Sequence, residues 1–246
     1  MPVFKLTIEY DGTTFSGWQE QPGQRTIQGV LKKALTTILR HPVMLQGASR
    51  TDAGVHAIGQ TASFHTNIDV EPQRLIKGLS ALCRPDVAVV NAEIVHDEFN
   101  ARFAAQGKHY KYQILNRSAA SPLLGPVSWH VPRFLDLKLM QEAANLMVGT
   151  HDFNGFRAAD CGRDNTVRTL TYLGVERTDK DVIVITVKGT AFLKYMVRII
   201  SGTLVEIGLK KLPVDTPEKI FASKDRSMAG QTAPARGLTL IKVYYQ

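Results

Sequence analysis

Apolar and polar positions along the chain follow two rhythms. Val3 to Tyr10 alternate with the period of two expected of a half-buried strand. After the turn-rich stretch DGTTFSGWQEQPGQ, residues Ile27, Val30, Leu31, Ala34, Leu35, Ile38 and Leu39 recur at helical spacing, while Lys32, Lys33, Thr36 and Arg40 take the other face. This pattern predicts a helix over a sheet, stopped at His41-Pro42 because the residue before a proline disfavours helical angles. Short strands are predicted at Val43 to Ala48 and Ile58 to Thr66. Pro72, suited to a first helical position, opens a second helix to about Leu82 with Leu75, Leu79 and Leu82 apolar, and Val87 to Val95 reads as a buried strand. Strand, helix, strand, strand, helix, strand is the ferredoxin-like order.

The rest of the chain can be parsed in the same order, although no residue-level repeat links the halves. Lys108 to Leu115 reads as a strand with Tyr110, Tyr112 and Ile114 on one face, and Asp136 caps a helix carrying Leu139, Met140, Ala143 and Met147. Strands follow at Val167 to Glu176 and Val182 to Lys188. A helix is predicted from about Phe192 to Gly208, with Phe192, Met196, Ile199, Thr203 and Ile207 along one stripe, and the final strand is Leu238 to Tyr245. The expected fold is α/β in the α+β sense: two fused ferredoxin-like halves, residues 1–106 and 107–246, with mainly antiparallel sheets and a central cleft that could take a polyanion from both sides. The stretch from Arg117 to Arg133, rich in Ser, Pro and Gly, is a connection rather than a flexible linker.

Composition narrows the partner. The 246 residues hold 30 Lys and Arg against 22 Asp and Glu, a formal charge of +8 with a pI near 9.5, which favours nucleic acid, the alternative being a merely solvated basic surface. The hydrophobic share of 44% and charged share of 21% are those of a soluble globular chain. The opening MPVFKLTIEYDG passes straight into a strand, and no run of about 18 apolar residues follows, so a cytoplasmic protein is expected. Cys83 and Cys161, far apart, fit neither a disulfide framework nor a paired metal-ligand spacing.

The densest polar cluster is GASRTDAGVHAIGQ, residues 47–60. Its glycines permit sharp turns, and Ser49, Arg50, Thr51, Asp52 and His56 crowd binding or reactive groups into one loop. On pattern alone Asp52 is more often a turn residue than a catalyst, and Arg50 nearby, which can hold a carboxylate ionised, reach a phosphate or stack on a base, shifts that weighting only somewhat. The loop lacks the elbow that would make Ser49 a hydrolase nucleophile and the ending of a nucleotide phosphate cradle, and His56 and His65 lack partners at a metal-binding interval, so no metal site is expected. Basic and aromatic residues interleave at FNARFAAQGKHYKY, HDFNGFR and FLKYMVR, the composition an RNA groove needs, with Tyr110 and Tyr112 equally explained as sheet core. Arg198 sits off the apolar stripe of its helix.

Taken together and in order, YDGTTFSGWQEQ, TIQGVLKKAL, SRTDAGVHAIGQ, FNARFAAQGKHYKY, HDFNGF, FLKYMVRIISG and APARGLTLIKVYY resemble the TruA family of tRNA pseudouridine synthases over nearly the whole chain. The resemblance places the catalytic aspartate on Asp52, its companion arginine on Arg50, the tyrosine near the target base on Tyr110 and the active-cleft arginine on Arg198. FNAR stands where the family usually has Phe-His-Ala-Arg, and FLKYMVR varies before Met-Val-Arg, which leaves Asn100 and Lys194 without an assigned contact. The resemblance also implies a homodimer that holds tRNA with both subunits and isomerises uridines in the anticodon stem-loop, near positions 38 to 40. Because the bond change is internal, no cofactor is demanded. Arg50 is expected to fill the space left by a flipped base or to hold that base, Tyr110 to pack on the base and assist loss of the C5 proton, and Arg198 to pair with Asp52, with His56 supporting the loop; attack of Asp52 on C1′, attack on C6 and removal of the C2′ proton all remain open. The rivals are a non-catalytic RNA-binding module, which would tolerate loss of Asp52, and a hydrolase using Ser49 or Cys161, for which no motif supplies an oriented histidine.

Overall fold

The structure, a computed structural model, describes residues 2–246. The chain divides into two compact units, one made of the residues up to Gln106 together with Thr239–Gln246, the other of Gly107–Leu238.

In the first unit β1 is Val3–Tyr10, α1 Ile27–Leu39, β2 Gln46–Gly47, β3 His56–His65, α2 Pro72–Cys83 and β4 Val87–Val95. Strand β1 lies between β3 and β4 and is antiparallel to both, so its inward set Phe4, Leu6, Ile8 and Tyr10 is enclosed from either side. Phe4 stacks on Phe64 across the β1–β3 pair at 5.4 Å between ring centroids. Helix α1 starts where Thr26 accepts the Gly29 amide and ends at Arg40, which adopts left-handed angles at φ 61° one residue before the expected His41-Pro42 stop. It buries Ile27, Leu31, Ala34, Leu35 and Leu39, as the spacing predicts. Segment 99–101 crosses the other face of the sheet. Ala101 donates its amide to Ser63 Oγ at 2.9 Å, and the Lys5 ammonium sits 4.9 Å from the Tyr245 ring centroid and 5.7 Å from that of Phe99.

The second unit holds β5 Gly107–Leu115, β6 Trp129–His130, α3 Leu137–Asn145, β7 Gly149–Asp152, β8 Val167–Asp179, β9 Val182–Gly189, α4 Met196–Gly208 and α5 Thr216–Ser223. Its strands run β5-β9-β8-β7, all antiparallel, with β6 parallel to β5. Tyr110, Tyr112 and Ile114 face inward together, and the Tyr112 hydroxyl donates to the Pro234 carbonyl at 2.7 Å. Burial drives that phenol well above its ordinary pKa against the opposing charges of Arg198 and Arg236. Asp136 caps α3 by accepting the Leu139 amide at 3.3 Å.

The last strand, β10 (Leu238–Tyr244), returns to the first unit and pairs with β3 in parallel, Thr239 opposite His56. The apolar pattern alone assigns this strand to the second half, residues 107–246, whereas its pairing groups Thr239–Gln246 with the first unit. Other differences have local causes. Val43 to Ala48 yields only the two residues of β2. Strand β4 lies at the outer side of β1 and leaves Val90 49% and Ile94 56% exposed rather than being a buried strand. Helix α4 begins at Met196 instead of Phe192 because Tyr195, at φ 63°, is left-handed and cannot continue a right-handed helix backwards. The short strand β7 and helix α5 have no counterpart in the hydrophobic pattern.

The HDFNGF segment is also core rather than RNA groove. Phe153 and Phe156 are wholly buried, and with His151 they enclose Phe221 of α5, the His151 and Phe221 rings stacking at 4.5 Å. Asp152 holds this corner. It pairs with Lys224 at 2.8 Å and accepts from the Thr166 hydroxyl at 2.5 Å and the Asn154 amide at 3.1 Å. The bonds from Lys224 and Thr166 keep its carboxyl below the ordinary value of 3.8, outweighing the opposing effect of burial. A carboxyl whose folded pKa lies below its unfolded one stabilises fully above the unfolded value and loses that contribution as pH falls through the folded one. The difference in unfolding free energy between wild type and Asp152→Asn should therefore be level at neutral and mildly acidic pH and shrink below about pH 4 in urea titrations; a difference that holds steady down to pH 3 would contradict this.

Candidate active site

The loop from Ala48 to Val55, between β2 and β3, is fixed from beneath by one side chain. Gln60 of β3 is fully enclosed, and its amide nitrogen donates to the Ser49 carbonyl at 2.8 Å and to the Tyr10 hydroxyl at 3.4 Å. Its amide oxygen accepts from the Ser49 and Thr61 amides, each at 3.2 Å. Both ends of Ser49 are thus answered by a single carboxamide, and turning that carboxamide over would set N–H against N–H. Two residues further on, Thr51 Oγ1 and the Tyr10 hydroxyl lie 2.7 Å apart, and the Thr51 carbonyl accepts the Trp18 amide at 3.0 Å.

A second segment closes over the loop. Gly17 has φ +92°, and a side-chain carbon there would come 2.8 Å from the Thr51 carbonyl oxygen, so glycine allows the approach. Trp18, 2% exposed, fills the space above Gly47. Beyond Thr51 the chain turns at once: the Val55 amide donates to the Asp52 carbonyl at 3.2 Å with Gly54 at φ 77°, the positive angle that such a turn requires. Asp52 therefore heads a tight turn whose preceding residue is held on two sides. Asp52 is half-buried and Arg50 exposed.

His56 closes the far end of the loop. Its ring is 6% exposed, and Nδ1 lies 3.2 Å from the Gly12 amide and 3.1 Å from Asp11 Oδ1. One nitrogen cannot accept from Gly12 and donate to Asp11 at once, so the two contacts belong to different protonation or tautomeric states. The ring's Nε2 is enclosed without a hydrogen-bond partner among the described residues. Burial raises the Asp11 carboxyl, but hydrogen bonds from the Thr13 hydroxyl and amide, followed by His56, outweigh it and hold the group below its ordinary value.

In the second unit, Tyr110 on β5 is 6% exposed and meets Phe192 edge to face at 5.1 Å. Arg198 lies in the first turn of α4. Its Nε donates to the Ala233 carbonyl at 2.8 Å and its guanidinium stacks over the Tyr195 ring at 4.6 Å, so a carbonyl and an aromatic plane orient it. Arg50 and Asp52 thus share one loop of the first unit, and Tyr110 and Arg198 belong to the second. Cys83 and Cys161 are buried and unpaired, and burial pushes the Cys83 thiol up to about 11, the behaviour of an inert core residue. No group of three or more potential metal ligands occurs among the described residues, and no helix among them is long and apolar enough to cross a membrane.

A family profile described as tRNA pseudouridine synthase matches residues 6–104 and 143–246. The chain belongs to that family. It is 45% identical over 246 residues to tRNA pseudouridine synthase A of Myxococcus xanthus, covering 100% of this chain and 93% of that one. It is 45% identical over 245 residues to the protein of the same name from Geotalea uraniireducens, covering all of both. Among solved structures, a Cbf5-Nop10-Gar1 complex aligns at 10% identity and a TM-score of 0.40, covering 96% of this chain and 57% of that one, too distant to bear on function. The protein is accordingly an isomerase that acts on tRNA, and the hydrolase and pure RNA-binding alternatives fall away.

Sequence reasoning singled out Arg50 and Asp52 but not what holds them. Tyr10, Gly17, Trp18 and Gln60 all stand inside the motifs YDGTTFSGWQEQ and SRTDAGVHAIGQ, yet nothing in their spacing announces that Gln60 reaches back to Ser49. Gln60→Leu keeps much of the volume while leaving the Ser49 amide and carbonyl without partners, so it should cost on the order of 2 to 4 kcal/mol in urea unfolding. A cost below about 1 kcal/mol would mean that water replaces the carboxamide freely.

Proposed function

We propose that the chain isomerises uridines of the tRNA anticodon stem-loop, near positions 38 to 40, with Asp52 as the essential carboxylate and no cofactor. The observation that carries this reading is the placement of Asp52 at the head of a turn whose preceding residues are immobilised by Gln60, Tyr10 and Trp18. Such preorganisation is what a group acting on a substrate atom needs, because small misplacements cost orders of magnitude in rate.

Pseudouridine formation breaks the bond from ribose C1′ to uracil N1, rotates the base, joins C1′ to C5, releases the C5 proton and places a proton on N1. The bonding changes balance within the nucleotide, so no electrons need to enter or leave. A carboxylate suits this chemistry because it is ionised at neutral pH and can form and release an ester-like bond. The uridine must leave its stack, at a cost of a few kcal/mol, to reach a half-buried group. Arg50, exposed beside Asp52, is assigned to the space the base vacates, while Tyr110 packs on the base and Arg198 binds the substrate. The motif resemblance also supports a homodimer that shares one tRNA.

The test follows tritium release from tRNA labelled at uridine C5. Wild type should release it, and Asp52→Asn, of nearly equal shape, should slow release by roughly 10³-fold or more while tRNA affinity changes little. A variant with full activity would remove Asp52 from the chemistry. Arg50→Ala should lower turnover more than affinity, and an equal loss in both would make Arg50 a simple phosphate contact.

A further inference from the structure

The segment from Arg157 to Arg168 in the second unit carries positive charge that its own carboxylates do not answer. Arg157 curls the segment by donating from Nη1 to the carbonyls of Cys161 at 2.9 Å and Arg163 at 2.7 Å. The Ala158 amide donates to the Lys194 carbonyl at 3.0 Å, which ties the segment to the turn leading into α4 and Arg198. Of its two acids, Asp160 is taken by Lys194 at 2.5 Å, and Asp164 forms no ion pair among the described residues. Arg163 is exposed, and Arg157, Arg163 and Arg168 have no carboxylate partner among the described residues.

Arg168 is the telling member. It stands on β8 opposite His151 of β7 and is half-buried. Its Nη1 donates to the Val167 carbonyl at 2.6 Å, but Nε is enclosed with no partner among the described residues. Burial, then the nearby charge of Arg163, pulls the guanidinium below its ordinary value, with Cys161 opposing. A cation drawn out of water beside another cation, with no counter-charge, is unfavourable in the protein alone. A phosphate beside Arg163 and the outer nitrogen of Arg168 would supply the missing counter-charge.

We propose that Arg163 and Arg168, presented by the curl that Arg157 maintains, form a binding site for backbone phosphate of the tRNA, separate from the groups assigned to the base and tied to the turn that carries Arg198. This deepens the tRNA-modifying reading above and rests on it.

The test uses the full chain and unmodified tRNA, measuring affinity between about 50 and 200 mM salt together with tritium release at saturating tRNA. Arg163→Ala and Arg168→Gln should each lower the slope of log affinity against log salt by about one, weaken binding several-fold at the lower salt, and leave saturated turnover within about twofold of wild type. Arg163→Lys should keep most of the slope. Lys180→Ala, which removes an exposed charge in the β8–β9 turn, should leave it unchanged. If Arg168→Gln fails to fold by thermal melting, the exposed Arg163→Ala decides alone. Should the wild type act on tRNA while a folded Arg163→Ala keeps affinity and slope, or should Lys180→Ala lose as much, this inference is overturned and the catalytic reading stands. Loss of turnover without loss of affinity overturns it as well. If the wild type binds tRNA with the expected slopes but releases no tritium, the phosphate site stands and the isomerase assignment to this substrate fails. A wild type that binds no tRNA removes both.

Discussion

The enclosed carboxamide of Gln60 is the constraint on which the candidate site depends. A polar group without water must find partners, and this one has four: two on Ser49, one on Thr61 and one on Tyr10. Because a half-satisfied buried network is worse than none, the loop cannot slide relative to β3 without breaking several bonds at once. Register along β3 and position along the loop therefore become a single variable. Tyr10 carries the constraint onward to Thr51, and the Trp18 amide carries it to the backbone just before Asp52. The backbone leading into Asp52 is thereby fixed by groups two and more residues away along the chain.

Much the same logic orients the cations of the second unit. Arg198 does not project from α4 as a free-swinging charge, since the Ala233 carbonyl takes its Nε and Tyr195 lies beneath its plane. The left-handed Tyr195 that shortens α4 is what puts that ring under the guanidinium. The same turn supplies the Lys194 carbonyl that anchors the Arg157 to Arg168 segment. One departure from helical geometry thus sets both the arginine assigned to the substrate and the start of the basic curl.

The pattern of apolar positions found the elements whose burial is periodic: β1, α1, α2, β5 and the body of α4 all lie where the spacing put them. It misjudged places where a single contact overrides the period. Strand β4 reads as fully buried because Val87, Val89 and Val90 run together, yet it lies outermost beside β1 and only Val87, Val89 and Ala92 are buried. HDFNGF reads as a groove lined with aromatics and cations, but its phenylalanines are claimed by Phe221 from a helix too short and too polar to stand out. In the candidate site, local pattern leaves Asp52 more often a turn residue than a catalyst, and it is the ordered motifs around it that single out Asp52 and Arg50. The roles of Gln60 and Gly17 were not legible, because they arise from contacts across 11 residues for Gln60 with Ser49 and from a backbone approach that only the folded chain creates.

Rigidity in one loop and unanswered charge in another do different work. Contacts to backbone phosphate are made alike in the ground state and the transition state, so they tighten binding without lowering the barrier once substrate is saturating. They also carry no sequence information and weaken with salt. On the mechanism proposed for Asp52, a carboxylate that must meet one atom of one flipped base gains nothing from such contacts unless its own position is already settled. The division is visible in the chemistry of the two segments: Ser49 and Thr51 are held by neutral, short-range hydrogen bonds that salt does not screen, whereas Arg163 and Arg168 have no carboxylate partner among the described residues and Arg163 is exposed to a polyanion. Were the arrangement reversed, with the loop held by surface ion pairs, each change of ionic strength would disturb the reacting geometry along with the affinity. Fixing the backbone at Ser49 with a buried carboxamide keeps that part of the loop in place whatever the ionic strength, while contacts to phosphate weaken with it.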